Sequence, residues 1–354
     1  MQQAPLFTDL PRYTGRQLPA LGEQKDIRYL GIAARSVLND PKATGMDYWS
    51  INPYIGCAIG CGYCYARFAH RYALDRALSA LPVSDPAHDA VGQLPPWLAF
   101  ERRILVKRNA PEVLARALRE GGPRHLALVR GDAVLVGTAT DPYQPAERRF
   151  RVTRGILETL AEHPGLRVVI ITKSPLVTRD IAVLARIARH STVSVYMSLI
   201  TLDREISRTL EPRAPTPEAR IRALARLREV GIEAGVNVMP VLPGITDHPT
   251  GLEALVKRIA EVGVRFAGAC ALRLRSDART RYFMMIDEHF PHLSARYRRA
   301  YASHHELGDH YRAGLARVFA RLCAAHGVTP RPSRDDGGDA PIVASMDQLS
   351  LELG

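Results

Sequence analysis

Short runs of apolar residues recur along the middle of the chain, and segments with helical periodicity separate them. The runs are short enough to be buried strands, and they lie at 133–138, 167–172, 192–199, 233–241 and 264–274. With the segment before Cys57 as a further strand, strand and helix alternate about six times. The alternation predicts an α/β fold with a parallel sheet, built as an open sheet or a partial barrel.

The helical segments have recognisable ends. Ser174-Pro175 begins one, and Thr216-Pro217 begins another that Gly231 ends. Residues 277–327 also show helical patterning. Because functional loops follow the carboxyl ends of parallel strands, we expect the chemistry of the protein at that end of the sheet.

Composition along the chain predicts four parts. Residues 1–50 are rich in proline, glycine and charge and read as an N-terminal arm, 51–275 as the core domain, 276–330 as a helical extension and 331–354 as a flexible tail. No run of 18 apolar residues occurs, so no membrane-spanning helix is expected. The start of the chain lacks an export signal, and we expect a cytoplasmic protein.

The chain is basic: 48 lysine and arginine residues face 36 aspartate and glutamate residues, a formal net charge of +12. A basic balance favours an anionic partner, with DNA or another nucleic acid first. However, only five of the basic residues are lysines, and the arginines are spread along the chain. That distribution equally indicates a genome-wide preference for arginine.

Three of the five cysteines fall within eight residues, as Cys57, Cys61 and Cys64, with glycines between them. An odd count clustered in this way indicates a reduced protein with a metal site rather than a disulfide framework. Thiolates suit zinc or iron–sulfur clusters. Three cysteines on a four-iron cluster leave one iron open for chemistry, whereas His70 as a fourth ligand would close a zinc site or a cluster.

The spacing, with Tyr63 directly before the last cysteine, resembles the radical S-adenosylmethionine (SAM) superfamily. The phrases NPYIGCAIGCGYCYAR, TDPYQPAE, ITKS and LEPRAPTPEAR resemble its spore photoproduct lyase-like branch, a group of DNA repair photolyase-like proteins, over roughly residues 30–275. The resemblance implies a partial (β/α)6 TIM-like barrel with an N-terminal arm and a C-terminal helical extension. It also implies a [4Fe–4S] cluster and S-adenosyl-L-methionine as cofactors.

The same resemblance implies roles for individual residues. The cluster ligands would be Cys57, Cys61 and Cys64, and the SAM-binding residues Tyr63, Thr140, Asp141, Lys173, Ser198 and Arg220.

Within this set, Tyr63 would lie against the adenine, and Thr140 and Asp141 would receive the methionyl amine. Lys173 and Ser198 would contact the carboxylate, with help from Arg220. Asp141-Pro142 is also ordinary turn chemistry, and Ser198 also suits a strand end as a small residue.

The chain departs from the branch at one point. The photoproduct lyase completes its reaction with a cysteine hydrogen donor after the cluster loop, but this chain has no cysteine between Cys64 and Cys270. The counterpart stretch contains Lys107 and Asn109 instead. Cys270 and Cys323 lie in apolar contexts and are expected to be packing residues. We therefore expect a substrate other than the spore thymine dimer, and no catalytic residue is assigned.

The function implied is a lyase-like radical SAM enzyme. It would cleave SAM reductively to a 5′-deoxyadenosyl radical that abstracts hydrogen, with damaged or modified nucleic acid as a substrate. A reductase or flavodoxin-type protein would donate the electron. Two alternatives remain open: a radical SAM enzyme acting on a protein or metabolite, and a non-catalytic zinc or iron–sulfur protein associated with DNA.

The C-terminal peptide resembles the QLxLxL sequence by which bacterial repair proteins dock on the sliding clamp. The anchors would be Gln348, Leu349, Leu351 and Leu353. Alternatively, this apolar terminus packs back on the domain.

Overall fold

The computed structural model describes residues 20–24, 26–68, 94–119 and 121–331, together with positions 70, 74 and 79. The predicted clamp-binding peptide lies outside these residues. The described strands are β1 (Ala20–Gln24), β2 (Ile27–Ile32), β3 (Leu38–Asn39), β4 (Trp49–Ile51), β5 (Tyr54–Ile55), β6 (Arg103–Lys107), β7 (Ala133–Val136), β8 (Arg167–Thr172), β9 (Thr192–Ser198), β10 (Glu233–Val241), β11 (Phe266–Ala271) and β12 (Thr329–Pro330).

The described helices flank these strands. They are α1 (Pro41–Thr44), α2 (Pro96–Arg102), α3 (Ala110–Ala117), α4 (Pro123–Val129), α5 (Pro145–Phe150), α6 (Val152–Leu160), α7 (Ile181–Ala188), α8 (Arg204–Leu210), α9 (Pro217–Glu229), α10 (Pro249–Glu261), α11 (Ser276–His289), α12 (Pro291–Ala300) and α13 (Asp309–Ala325). None of them is long and apolar enough to cross a bilayer.

The main sheet has the strand order β12-β11-β10-β9-β8-β7-β4-β3. All neighbours from β4 to β12 are parallel, and only β3 runs antiparallel. Six of these parallel strands, from β4 to β11, alternate with helices as the apolar pattern predicts. The prediction of a partial (β/α)6 barrel is confirmed.

One predicted helix differs from the structure. The segment that begins at Ser174-Pro175 first forms a 3₁₀ helix, Pro175–Asp180, and the α-helix starts only at Ile181. The Ser174 hydroxyl accepts a hydrogen bond from the Leu176 amide, and the Thr178 hydroxyl donates to the Pro175 carbonyl. Such local side-chain bonds favour a tight turn over a regular helix.

A second sheet joins two strands of the predicted arm to two strands of the predicted core domain, and it was not expected. Its order is β1-β2-β6-β5, with β2 and β6 parallel and β5 antiparallel to β6. These strands are short, and their partners are far apart in sequence, so no local period reveals them. The sheet matters for function because β5, which pairs Tyr54 with Val106, leads directly into the three cysteines.

The C-terminal helices are fixed to the barrel by tyrosines. The Tyr297 hydroxyl donates to the Pro243 carbonyl at 2.6 Å, and the Tyr301 hydroxyl donates to the Leu272 carbonyl at 2.9 Å. Both carbonyls follow the strands β10 and β11. The extension therefore covers the carboxyl ends of the last barrel strands, where the site is expected.

Glu147, on α5, is a buried junction between four elements. Its carboxylate accepts hydrogen bonds from the Tyr54 hydroxyl (2.5 Å), the Thr153 amide (2.9 Å) and the Arg154 amide (3.2 Å), and it pairs with Arg179 at 2.8 Å. A fully buried carboxylate is stable in a protein interior only when both of its oxygens have hydrogen-bond or ion-pair partners.

We expect Glu147→Gln to lower the free energy of unfolding by about 2 kcal/mol, because the buried donors that bind this carboxylate would lose a charged acceptor, although Arg179 keeps its ion pair with Asp180. Urea unfolding measures the change. Arg226→Gln, which removes an exposed pair with Glu229, should change it by less than about 1 kcal/mol. Equal losses for the two variants would contradict this account.

Candidate metal and cofactor centre

The three cysteines lie on a loop of residues 56–64, the cysteine loop, which follows β5. The Cys57 amide donates to the Phe100 carbonyl at 2.9 Å, and the Gly60 amide donates to the Cys57 carbonyl at 3.3 Å. Gly60 has φ of 67°, in the left-handed region that favours glycine. Cys57 and Cys61 are buried and Cys64 is half-buried, so the loop turns its thiols inward.

An ion-pair network supports the outer side of this loop. Glu101 pairs with Arg67 at 3.1 Å and with Arg213 at 3.0 Å. Arg67 also donates to the Cys61 carbonyl at 3.0 Å, and Arg213 donates to the Ala58 carbonyl at 2.5 Å. The two arginines therefore bind the backbone of the loop while one buried carboxylate neutralises part of their charge.

Burial keeps Cys57 and Cys61 as neutral thiols in the absence of a metal. Burial, followed by the Asp141 and Cys64 charges, raises the pKa of Cys57 to about 12. Backbone N–H groups of Asp141 and Ile59 oppose this by hydrogen bonding to the sulfur. Burial also raises the pKa of Cys61, although the Lys173 charge opposes it. Thiols in such a site become thiolates when a metal binds, and N–H groups directed at sulfur suit an iron–sulfur cluster.

The surroundings of His70 are those of a packed aromatic ring. In the part of the chain that the structure describes, no group of three His, Cys, Asp or Glu side chains is already arranged around a metal ion, and this applies to the three cysteines as well. His70 is buried with its ring against Phe100, at 5.3 Å between centroids. Neither ring nitrogen has a hydrogen-bond partner among the described residues.

Thr140 and Asp141 follow β7 and are engaged with the protein itself. The Thr140 hydroxyl donates to the Gly56 carbonyl at 2.6 Å. The Asp141 carboxylate accepts from the Thr172 hydroxyl and the Lys173 amide, each at 2.7 Å. Thr140 therefore binds the cysteine loop and Asp141 the end of β8. The Tyr143 amide also donates to Asp141 at 2.8 Å, which is the local contact that turn chemistry predicts.

Tyr63, Lys173 and Arg220 converge on Glu211, a buried carboxylate that follows α8. The Tyr63 hydroxyl and the Arg220 guanidinium both bind Glu211, and the Lys173 Nζ lies 3.8 Å from its Oε1. Burial raises the pKa of Glu211, but Arg220 and Lys173 outweigh burial and the net pKa is lowered. Glu211 is therefore a carboxylate that holds two cations at the end of the barrel.

Ser198 ends β9 beside this cluster. Its carbonyl accepts from Arg220 at 3.0 Å, while no hydrogen bond joins its hydroxyl to another described residue. Lys173 has an ion pair at 3.8 Å and lies 5.7 Å from the centre of the Tyr63 ring. Of the six predicted SAM-binding side chains, Ser198 and Lys173 are the least engaged with the protein, and they suit a carboxylate ligand.

Sequence reasoning assigned no role to three further residues at this site, which are Glu101, Gln144 and Arg213. For Glu211 the sequence suggests an ion pair that fixes the loop before Arg220, and the structure contains this pair. Gln144 is fully buried, and it accepts from the Ala58 amide at 2.8 Å and donates to the Gly56 carbonyl at 3.1 Å. Gln144 and Arg213 stand inside the phrases TDPYQPAE and LEPRAPTPEAR, but their partners are distant in sequence.

The two remaining cysteines differ from each other. Cys323 is fully buried in the core, which confirms its packing role. Cys270 is only half-buried, which differs from the expected packing role. The reason is that β12 pairs only with Phe266 and Ala267, so it does not cover β11 as far as Cys270.

A family model of the radical SAM superfamily matches residues 51–252, more than half of the chain. The chain belongs to the radical SAM superfamily. Members use a [4Fe–4S] cluster and SAM, which confirms the predicted cofactors. The assignment of individual residues to those cofactors stays a prediction.

Curated relatives of this radical SAM enzyme carry no described activity. An uncharacterised protein of Mycobacterium tuberculosis is 32% identical over 326 residues, which cover 90% of this chain and 88% of the relative. An uncharacterised protein of Methanocaldococcus jannaschii is 28% identical over 221 residues, 62% of this chain and 70% of the relative.

Solved structures of spore photoproduct lyase have a similar fold. A variant with bound AdoMet and a dinucleoside spore photoproduct has a TM-score of 0.59 at 14% identity, covering 85% of this chain and 81% of the lyase. The lyase complexed with the dinucleoside alone has a TM-score of 0.57 at 13% identity over the same shares. At this identity the likeness shows the fold.

The space beside Gly60 gives a test of the cysteine loop. A Cβ atom at Gly60 would overlap the paired Arg213 and Glu101 side chains, whereas at Gly62 it would meet the flexible Met285 side chain. We expect Gly60→Ala to lower the iron content per chain after anaerobic reconstitution at least threefold, and Gly62→Ala to lower it little. Iron and sulfide analysis measures both, and the reverse order would contradict the supporting role of the ion pairs.

His70 gives a pH test. Burial, aided by the Arg67 charge, lowers the pKa of His70 from 6.5 to about 3, so below pH 6.5 the unfolded chain binds a proton that the native chain refuses. Through this group, the free energy of unfolding should fall by about 2 kcal/mol between pH 7.5 and pH 5.

Unfolding of the cluster-free protein in urea at pH 7.5 and pH 5 measures this loss. His70→Phe keeps a ring against Phe100 and should remove most of the difference between the two pH values. His292→Gln, at an exposed position on α12, should leave the difference unchanged. A wild-type pH dependence that persists in His70→Phe would show that another group causes it.

Proposed function

We propose that this radical SAM enzyme acts on nucleic acid and abstracts a hydrogen atom from a carbon of a damaged or modified nucleotide. The observation that carries the proposal is a cationic surface at the open end of the barrel, beside the cysteine loop. A nucleic acid would bring its negative phosphates to this surface.

The cationic surface consists of Arg273, Arg275, His305 and Arg312 around Glu306. Arg273 pairs with Glu306 at 3.0 Å and Arg312 does so at 3.3 Å, while His305 lies 3.4 Å from the same carboxylate. Arg275 contacts His305 at 2.6 Å. Arg312 also pairs with Asp309. Three arginines and a histidine therefore lie close together at this surface.

This surface adjoins the predicted cluster site. Arg275 lies over the ring of Phe68 at 5.9 Å, four residues after Cys64. The Arg273 charge also acts on the hydroxyl of Tyr65, which directly follows Cys64 and is 48% exposed. A polyanion bound by the arginines would therefore lie next to the cysteine loop.

The chain itself would bind and orient the cofactors. Cys57, Cys61 and Cys64 would hold the cluster, and Lys173 and Ser198 would contact the SAM carboxylate. When bound, the cluster supplies the electron for reductive cleavage of SAM, which is the source of the hydrogen-abstracting radical. Burial lowers the pKa of Lys173, but the charges of Cys61 and Glu211 outweigh burial and raise it, so these two groups would keep Lys173 protonated. The Glu211 ion pair would also hold the lysine in place.

The structural neighbours give secondary support. Spore photoproduct lyase has been solved with a dinucleoside lesion and with AdoMet on a similar fold. The chain lacks a cysteine between Cys64 and Cys270, so we propose a nucleic acid substrate without assigning the lyase reaction.

The test follows hydrogen from the substrate. The reconstituted enzyme is reduced with dithionite and given SAM with undamaged DNA, ultraviolet-irradiated DNA or no DNA, and 5′-deoxyadenosine is measured. We expect one DNA sample to raise its rate of formation at least tenfold, and fully deuterated DNA of that kind to transfer deuterium into the product.

Two results would contradict the proposal. Equal rates with and without DNA, in an enzyme that still forms 5′-deoxyadenosine, would indicate a protein or metabolite substrate. An intact cluster without any 5′-deoxyadenosine would favour the non-catalytic alternative. Cys61→Ser, which removes one predicted cluster ligand, is the control and should form no product under any condition.

A further inference from the structure

Lys107 ends β6, and its ammonium group has few hydrogen-bond acceptors among the described residues. Its Nζ donates one hydrogen bond, to the Asn52 carbonyl at 2.8 Å. An ammonium group carries three N–H donors, and no ion pair joins this one to any acid in the described residues. Two of its donors therefore have no described protein acceptor.

The position of this ammonium group is at the open end of the barrel. Asn52 directly follows β4, and its side chain bridges to the loop after β7 through the Thr138 hydroxyl (3.2 Å) and the Ala139 amide (2.8 Å). The Thr138 carbonyl accepts a hydrogen bond from Tyr65, the residue after Cys64. Lys107 thus belongs to the same strand ends as the predicted SAM site.

Burial of this cation is not offset by an acid among the described residues. Desolvation lowers the pKa of Lys107 to about 8, and it is the sole cause of the shift. The group is still mainly protonated at pH 7. Buried cations in proteins normally have an anion beside them, and where the described residues supply none a ligand can.

We infer that Lys107 binds a phosphate group of the nucleic acid substrate. This inference rests on the proposed function and names one contact for it. Arg273 of the cationic surface acts on Tyr65, and Tyr65 is connected to Lys107 through Thr138 and Asn52, so a bound nucleic acid would meet positive charge at both places. Lysine suits a phosphate because its ammonium acts as a point charge with several donors.

Lys107 is not one of the predicted SAM-binding residues. Lys173, the other lysine at these strand ends, has Glu211 beside it and the Tyr63 ring below it. Among the described residues, neither a carboxylate nor an aromatic ring contacts the ammonium group of Lys107. This difference separates a cation held by the protein from one available to a substrate.

The experiment measures binding of single-stranded oligonucleotides of six nucleotides, labelled with a fluorophore, by anisotropy. Wild type and Lys107→Gln are compared between 50 and 200 mM salt. Loss of one phosphate contact on a single strand should weaken binding about five- to tenfold at low salt. The slope of log affinity against log salt should become shallower by about 0.7.

A second series replaces single phosphates of the oligonucleotide by uncharged methylphosphonates. At one position the replacement should weaken binding to wild type as much as Lys107→Gln does, with no further loss when both changes are combined. When the losses of binding free energy from the two changes do not add, the replaced phosphate is the one that Lys107 contacts.

The controls separate charge from structure. Lys107→Arg should keep most of the affinity and the salt slope, and Lys257→Gln, at an exposed position on α10, should match wild type. Urea midpoint and iron content verify that Lys107→Gln is folded. If it is not folded, the lysines of the wild type are ¹³C-methylated and followed by NMR. The chain has only five lysines, so few signals are expected. The Lys107 signal should shift when the oligonucleotide is added.

The outcomes distinguish this inference from the function on which it rests. Equal binding by wild type and Lys107→Gln, or losses that add at every phosphate, would overturn the role of Lys107 and leave a nucleic acid substrate standing. Failure of wild type to bind any oligonucleotide would overturn both. If a glutamate-rich peptide binds and this binding depends on Lys107, the ligand of Lys107 is a carboxylate rather than a phosphate. That result would also overturn the inference.

Discussion

The burial of the cysteine loop is the constraint on which the rest of the centre depends. A loop that encloses a metal centre is removed from contact with solvent, yet its backbone carbonyl and amide groups still need hydrogen-bond partners. Arg67 and Arg213 bind its carbonyls from outside, and Gln144 binds its backbone from inside. These side chains could not be buried without Glu101, because two arginines without a carboxylate would repel each other in a region of low dielectric.

The same reasoning explains why the strand ends carry so many paired charges. Asp141 ties the end of β7 to the end of β8, and Glu211 holds Arg220 and Lys173 beside β9. Each carboxylate fixes two chain segments that are distant in sequence. The ends of the barrel strands thereby become a rigid frame, and a rigid frame places cofactor-binding groups reproducibly.

Not every charge at this end is paired in that way. Among the described residues Lys107 forms no ion pair, and two of its N–H donors have no acceptor. The arginines around Glu306 add further positive charge beside the same loop. Positive charge at the mouth of a site favours an anionic ligand. The buried ion pairs therefore account for the architecture of the site, and the positive charge beside it supports the class of substrate proposed.

The barrel strands and the cysteine loop were readable from the chain because their signals are local: apolar runs for β7 to β11, and three cysteines with glycines for the loop. The second sheet was not readable, since the paired residues of β2 and β6, such as Arg28 and Arg103, are 75 positions apart and both strands are too short to show a period. The sequence suggested that Glu211 pairs with the nearby Arg220, but it gave no sign of the role of Glu101. A buried ion pair between distant segments depends on which segments meet, and Glu101 meets Arg213, and Glu211 meets Tyr63, only in the folded barrel.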